Sequence, residues 1–392
     1  MTTRMSTLSL AHRLAGAPKA ATVGLPAKEA KSAEESTVAR QVAAAPALAS
    51  APAPAAAFVL VLALALTFAG ATTAWAQASP AAPPVAQPEC IAPAKSGGGF
   101  DVTCRLVRTM FDDARLVASP VRITHLLGGI GAVAFHSIVA TRPADPSALV
   151  AFSAGSLLNL AQGKFGPYTE KDVRWVASLG MDYGVVVVRK DARYQTLKDL
   201  VSALKANPNG VVFGAGGTLG SQDWLKSAKV SRAAGVDFKL MRFVAFEGGG
   251  EALTALTGGH VQVVAGDASE AAQLLAAGAP IRVLAVLASE RLPGALATVP
   301  TAMEQGYDIR WPIVRGVYVG GKVSDADYRA WVESFRQLMA RPTYPKQRAA
   351  AGLFPQTLVG DALTDYVRST MADYRQLAGE YALRVPRAAP IP

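Results

Sequence analysis

The sequence predicts an α/β protein built from two units that enclose a ligand between them. Three observations carry that expectation. From residue 89 onward, short apolar runs alternate with longer segments of helical period, the pattern of a mainly parallel sheet with crossover helices. The pattern occurs twice, once on each side of residue 180, and two units of ordinary domain size fit the length. Nearly every apolar run ends in a loop rich in Gly or Ser that leads into the next helix. With 51% hydrophobic and 17% charged residues, the chain has enough apolar surface to fold, so a disordered reading is set aside.

The first run, 89–94, breaks at Lys95-Ser96-Gly97-Gly98-Gly99. Val102, Leu106, Val107, Met110 and Phe111 then recur at helical spacing and define a buried face. Strand 121–126 leads through Gly128-Gly129-Ile130-Gly131 into a helix reaching Ile138, and strand 148–152 leads through Ser153-Ala154-Gly155-Ser156 into another. The second set opens with strand 185–188 and helix 196–206, which stops at Asn207-Pro208-Asn209-Gly210. Strand 211–213 then enters the loop 214–221, strand 241–245 the loop 246–251, and strand 261–265 the loop 266–270. Amphipathic segments 324–339 and 360–382 read as helices packing back on the first unit. The chain is expected to cross between units near 180–183 and 311–315, giving one domain of 77–180 plus 312–392 and a second of 181–311.

Residues 1–76 read as an export signal on a long extension. No charged side chain falls between Arg40 and Glu89, and that gap holds the apolar run FVLVLALALTF (58–68) followed by Ala74-Trp75-Ala76. An apolar stretch before an A-x-A site is what signal peptidase reads, so cleavage is expected after Ala76 and the mature chain in the periplasm. The alternatives are a start downstream of Met1, because the basic residues lie far upstream, and a retained anchor over 55–76. Cleavage removes six basic and three acidic side chains, so the net charge falls from +10 to +7. The remaining Lys and Arg are scattered, without the basic stripe and interleaved aromatics that nucleic acid requires.

The two cysteines, Cys90 and Cys104, are expected to pair in an oxidising compartment, with two reduced buried thiols as the alternative. Four scattered histidines and one Cys pair offer no zinc-type spacing, so no metal is expected, and His125 and His260 read as core histidines. Enzyme motifs fail on inspection. Leu219 occupies the place of the third glycine of a dinucleotide fingerprint, and no Lys follows Gly220 as a phosphate-binding loop needs. The run Ala151-Phe152-Ser153-Ala154-Gly155 lacks the first glycine of a nucleophile elbow. What the loops share is the ability to hold an anion: main-chain N–H groups at a helix start, backed by the helix dipole, with glycine allowing close approach. At the carboxyl ends of strands in two facing units, several such loops suit a polycarboxylate.

The stretches 89–101, SLLNLAQGKFG from Ser156, FGAGGTLGSQDW from Phe213 and RFVAFEGGGEALTAL from Arg242 resemble the extracytoplasmic receptor of the tripartite tricarboxylate transporters, over essentially all of 88–383. The resemblance implies a two-domain type II periplasmic binding protein fold with a ligand cleft between domains. It implies no catalysis and a partner permease of one large and one small membrane subunit; a monomeric receptor without a cofactor is expected. The Cys pair points to the citrate-receptor branch and so to a citrate-like tricarboxylate; receptors of another small carboxylate or amino acid, or a cofactor-binding α/β enzyme, are the rivals. By motif match the first-domain grip is Gly98, Gly99, Phe100 and Asp101, with Gly129, Ile130, Gly131, Ser153, Gly155, Ser156 and Leu157 beside it. The second-domain grip is Gly217, Thr218, Ser221, Gly249, Gly250, Asp267 and Ser269, and Arg315 is expected to face a second or third carboxylate. Ser96, Ala154 and Ser269 depart from the family pattern at the cleft edge.

Overall fold

The computed structural model describes residues 85 and 87–384, apart from 118. They belong to one compact unit, Ala76–Pro392. The expected export segment and its cleavage after Ala76 lie outside the described residues.

Nine strands form one mixed sheet: β1 Glu89–Ala92, β2 Arg122–His125, β3 Ala148–Ser153, β4 Val173–Arg189, β5 Val212–Gly216, β6 Arg242–Phe246, β7 Val263–Val264, β8 Ile281–Leu287 and β9 Pro312–Gly320. The order is β2-β1-β3-β9-β4-β7-β5-β6, with β8 also paired to β4. The outer strands are parallel as expected, β1 with β2 and β3, and β5 with β6 and β7. The centre corrects the mainly parallel expectation. β9 runs antiparallel to β3 and β4, and β4 antiparallel to β7 and β8.

β4 is the element that joins the two ends of the sheet. Its first part pairs with β9 from Val173↔Gly320 to Tyr183↔Pro312, and its last six residues pair with β8 from Gly184↔Leu287 to Arg189↔Ile281. The sequence reading found only 185–188 of it, because Ser178, Gly180 and Asp182 interrupt the apolar run. Those polar groups are satisfied in place: Ser178 Oγ accepts from Leu358 N at 2.9 Å, and Asp182 takes four bonds described below. Bulges between Trp175 and Ala177 and between Ser178 and Gly180 absorb the change of register.

The helices follow the strands: α1 Gly99–Ala114, α2 Ala132–His136, α3 Ala154–Ala161, α4 Leu197–Ala206, α5 Gln222–Ala233, α6 Gly249–Thr257, α7 Ala268–Ala276, α8 Asp325–Ala340, α9 Tyr344–Ala350 and α10 Asp361–Glu380. α1 buries the face that the spacing predicted, and Phe111 meets Trp331 and Phe335 of α8 edge to face. α4 begins at a reciprocal cap in which Thr196 accepts from Asp199 N and Asp199 from Thr196 N. Cys90 on β1 is bonded to Cys104 on α1, tying the first strand to the first helix.

α8 packs on the β1, β3 and β9 core as expected, but the last helix does more than pack back on one side. Leu363, Val367 and Met371 of α10 join the core around Phe152, Trp175 and Tyr318. Ala378, together with Tyr381 and Leu383 beyond the helix end, joins the separate core around Phe213 and Trp224. The amphipathic stripe was visible in sequence; that it changes core along its length was not. The histidine expectation is also corrected. His260 lies exposed in the turn before β7, and His125, at the exposed end of β2, bonds Asp101 through Nε2 at 2.8 Å. Among the described residues no helix is long and apolar enough to cross a membrane.

Candidate functional site

The carboxyl ends of the strands bring five helix starts together, and these fall into two kinds. α3 and α5 begin on serine caps: Ser153 Oγ accepts from Gly155 N at 3.2 Å and Ser221 Oγ from Trp224 N at 3.3 Å. α1, α6 and α7 begin at Gly98, Gly248 and Asp267, whose own side chains make no cap; Glu270 takes the Gly99 N–H of α1 and Asp182 the Ser269 N–H of α7, whereas the α6 start has no side-chain acceptor. A helix start leaves N–H groups without an intrahelical partner and carries the positive end of the dipole, so an uncapped start favours an anion. All three of these starts face one small cavity of about 40 Å³, and that of α6 is the open one.

That cavity is lined from one side of the sheet by Gly98, Gly99, Phe100, Ile130, Ser153 and Arg315, and from the other by Gly216, Gln222, Asp223, Gly249, Asp267 and Glu270. Ile130 holds φ +52°, a left-handed conformation costly for a β-branched side chain, on the order of 1–3 kcal/mol. A wider cavity of about 340 Å³ adjoins it and shares Ala94, Gly98, Glu247, Gly248 and Glu270 as a common wall. Leu253 and Leu274 supply its apolar side, and Lys95 and Glu251 form an ion pair at its edge.

The floor beneath the small cavity is a closed set of buried charges. Arg315, 2% exposed, donates to Asp182 at 3.0 and 2.7 Å and to Asp267 at 2.6 Å. Asp182 also accepts from Ser269 N at 3.1 Å and Ser269 Oγ at 2.6 Å. Lys226, with no exposed surface, bonds Asp267 at 2.7 Å, the Gly266 carbonyl at 2.6 Å and Asp223 at 2.9 Å. Asp223 accepts from Gly216 N, and Gln222 donates to both oxygens of Asp267. Burial alone would raise the Asp267 carboxyl, but the charges of Lys226 and Arg315 outweigh it and hold that carboxyl below the usual range. Burial and the neighbouring Asp267 charge push Asp223 upward in spite of Lys226. Gly99 is required here, because a Cβ on it would run into the Arg315 guanidinium.

Glu270 stands apart from this set. Its Oε1 accepts from Gly99 N at 2.7 Å, while Oε2 is buried without a hydrogen-bond partner. The carboxyl is wedged between the starts of α1 and α6, so that a Cβ on Gly249 would overlap Oε2. Burial first, then the charges of Asp267 and Asp223, push its pKa up to about 8.

A cleft lined by helix starts and by loops from both ends of one sheet is a binding architecture. Residues 110–380 match the tripartite tricarboxylate transporter family receptor, TctC. The chain belongs to the TctC family.

TctC receptors are periplasmic binding proteins rather than enzymes; they bind small carboxylates and work with membrane permease components. The chain is 23% identical over 278 residues to the UPF0065 protein in the gbd 5′ region of Cupriavidus necator, covering 70% of this chain and 81% of that one. MatC of Rhodopseudomonas palustris, solved with bound malate, superposes with a TM-score of 0.65 at 22% identity, over 75% of this chain and 99% of MatC. R. palustris Rpa4515, solved with adipate, gives 0.69 at 20% identity, over 76% and 98%. These likenesses establish the periplasmic binding protein fold of the TctC type.

Against that TctC frame, eight of the residues singled out in the sequence line the small cavity: Gly98, Gly99, Phe100, Ile130, Ser153, Gly249, Asp267 and Arg315. Gly250 lines the wider one. Asp101 sits in the first turn of α1 and is occupied by Arg105, His125 and Gly97 N. Gly155, Ser156, Leu157, Ser221 and Ser269 lie buried behind the walls, where they cap, pack or bond the floor. Gly129, Gly131, Gly217 and Thr218 belong to neighbouring loops and line neither cavity. Asp182, Gln222, Asp223 and Lys226 were missed. The available signal was a lone charge at an apolar position, Asp182 in a strand and Lys226 on an inner helix face.

Proposed function

We propose that this receptor captures a small carboxylic acid in the periplasm and delivers it to a tripartite permease of one large and one small membrane subunit. The observation that carries the proposal is the convergence of three helix starts, those of α1, α6 and α7, on one small cavity, with the start of α6 bonded by no side chain. A carboxylate there is gripped by main-chain N–H groups. In this reading the chain is a monomer with lobes 77–180 plus 312–392 and 181–311, released by cleavage after Ala76. The lobes close over the ligand by bending where β4 and β9 pass between them.

The sequence favours a citrate-like tricarboxylate, but the charges in the cleft favour an acid with fewer negative charges. Arg315 lines the cavity with its guanidinium already committed to Asp182 and Asp267, and Lys226 is committed to Asp223 and Asp267. Neither is free to balance a second or third ligand carboxylate. A dicarboxylate with one end at the helix starts and its carbon chain toward Leu253 and Leu274 suits the two cavities better, and MatC and Rpa4515 were solved with acids of that kind.

Thermal unfolding of the ligand-free protein against malate, adipate, citrate and glutamate tests this directly. A ligand that binds only the folded chain raises the midpoint with concentration, by about 2.7 kcal/mol of added stability at a hundredfold excess over Kd. Malate or adipate is expected to act at lower concentration than citrate. The reverse order restores the tricarboxylate, and a response to none of the acids removes the carboxylate reading.

A further inference from the structure

Resting on the carboxylate reading of this cleft, we propose that Glu270 is the specificity-determining residue of the site. It meets the ligand as a carboxylic acid and gives its Oε2 proton in a hydrogen bond to one carboxylate oxygen of the bound anion.

Glu270 is 5% exposed, lines both cavities, and has one oxygen fixed by Gly99 N and the other buried with no partner. A buried acceptor with nothing to accept is costly, whereas the same atom carrying a proton becomes a donor, here packed against Gly249 at the start of α6 in the cavity wall. The neighbouring start of α6 is uncapped, so an anion resting there has main-chain donors on one side and Glu270 on the other.

The surrounding charges favour the proton. Asp267 at the start of its own helix and Asp223 from α5 favour the proton on Glu270, Arg315 from β9 opposes it, and α1 offers the Gly99 N–H; Lys226 and Asp182 stand behind these, bonded to Asp267 and Arg315. At the rim stand Glu247 and the Lys95–Glu251 pair. The two buried cations are already shared among three aspartates, so a fourth ionised carboxylate would be surplus in a water-poor space. The pKa of about 8 agrees with that geometry.

Two consequences follow for the ligand. It must bring an ionised carboxylate to Glu270, because an amide or alcohol accepts the proton more weakly. A ligand bringing an ammonium group to the same place would require Glu270 ionised and would bind better as pH rises. The sign of the pH dependence therefore separates a carboxylate at this position from a cation.

The test is calorimetric titration of the full chain with malate, adipate and citrate between about pH 6.5 and pH 9, in pairs of buffers with different ionisation enthalpies. Malate and adipate are ionised throughout, and citrate in the upper part of the range, so a proton taken up there goes to the protein. Affinity is expected to weaken about tenfold between about pH 7 and pH 9, with close to one proton taken up per ligand at about pH 9. Glu270→Gln keeps a donor in place and is expected to bind with a flat pH profile and no linked proton, whereas Glu270→Ala binds weakly at every pH. Burial also pushes Lys164 down to about 8, so it titrates in the same window; Lys164→Met is expected to retain the wild-type slope. Binding by wild type without linked protons, affinity rising with pH, or a slope abolished by Lys164→Met but kept by Glu270→Gln would each overturn the role of Glu270. Folded wild type that binds none of these acids at any pH would overturn the carboxylate reading itself. Should Glu270→Gln fail to fold, the proton count of wild type together with the Lys164→Met profile decides the matter.

Discussion

The floor and the wall of the cleft are both made of buried ionisable side chains, yet they are organised in opposite ways. On the floor every charge is answered: Arg315 by Asp182 and Asp267, Lys226 by Asp267 and Asp223, and the remaining lone pairs by Ser269, Gln222 and main-chain N–H groups. In the wall Glu270 takes one N–H and leaves an oxygen unbonded. A satisfied network of this kind fixes geometry, since removing any member strands another in a medium that penalises it. An unsatisfied group beside a cavity is instead held ready for something that is not part of the chain. Exposure does not separate the two, because both sets are buried; the bookkeeping of charged groups does, the floor's one unbonded oxygen being the neutral amide Oε1 of Gln222.

Substitutions should divide along the same line. The largest effect is expected at the floor. Arg315→Met strands Asp182 and takes one cation from Asp267, and should cost about 3–5 kcal/mol in urea unfolding at neutral pH. A loss below about 1 kcal/mol would show that the floor is not the closed unit drawn here. Next comes Glu270→Gln, read as stability against pH. The Glu270 carboxyl stays protonated up to about 8 when folded but ionises near the ordinary 4.5 when unfolded. Its contribution is therefore fully present below about 4.5 and is lost as pH rises through about 8. Wild type should lose stability across that window relative to Glu270→Gln, and parallel curves would contradict the assignment. Cys90→Ala opens the β1–α1 bridge and should cost about 3 kcal/mol on loop entropy, measured under oxidising conditions, without altering the ligand's pH profile. Gly249→Ala forces the Glu270 carboxyl aside and should cost about 1–3 kcal/mol by overpacking, with ligand affinity falling further than stability. Smallest is Ser153→Ala, about 1 kcal/mol through loss of the α3 cap, which would mark Ser153 as a cap rather than a nucleophile.

Much of the frame was legible because it is written in local chemistry. Strand followed by Gly-rich loop followed by helix recurs in the sequence, and the loops at 97–99 and 248–250 reach the cavity, as their lack of capping side chains allows. The antiparallel centre was not legible, since pairing of β4 with β9 joins segments well over a hundred residues apart and no local pattern encodes it. The floor was hidden for a related reason. Asp182, Asp223, Lys226 and Arg315 come from three distant elements, and each alone resembles a surface charge; only their meeting makes them a buried set. Asp267 and Ser269 were singled out for the ligand, and the structure gives them bonds to the floor. The helix starts carried a readable signal, whereas side-chain networks assembled by the tertiary fold did not.

The last helix bears on how motion in this protein is to be observed. Tyr374 of α10 touches both the core that holds Leu363, Val367 and Met371 and the core that holds Ala378, Tyr381 and Leu383. A single rod anchored in two separate cores acts as a lever with its fulcrum near Tyr374, turning a small rotation between them into displacement of its far tip. If the lobes close as proposed, a dye attached at the surface-facing Glu380, paired with one on α8, would report that motion without touching the cleft.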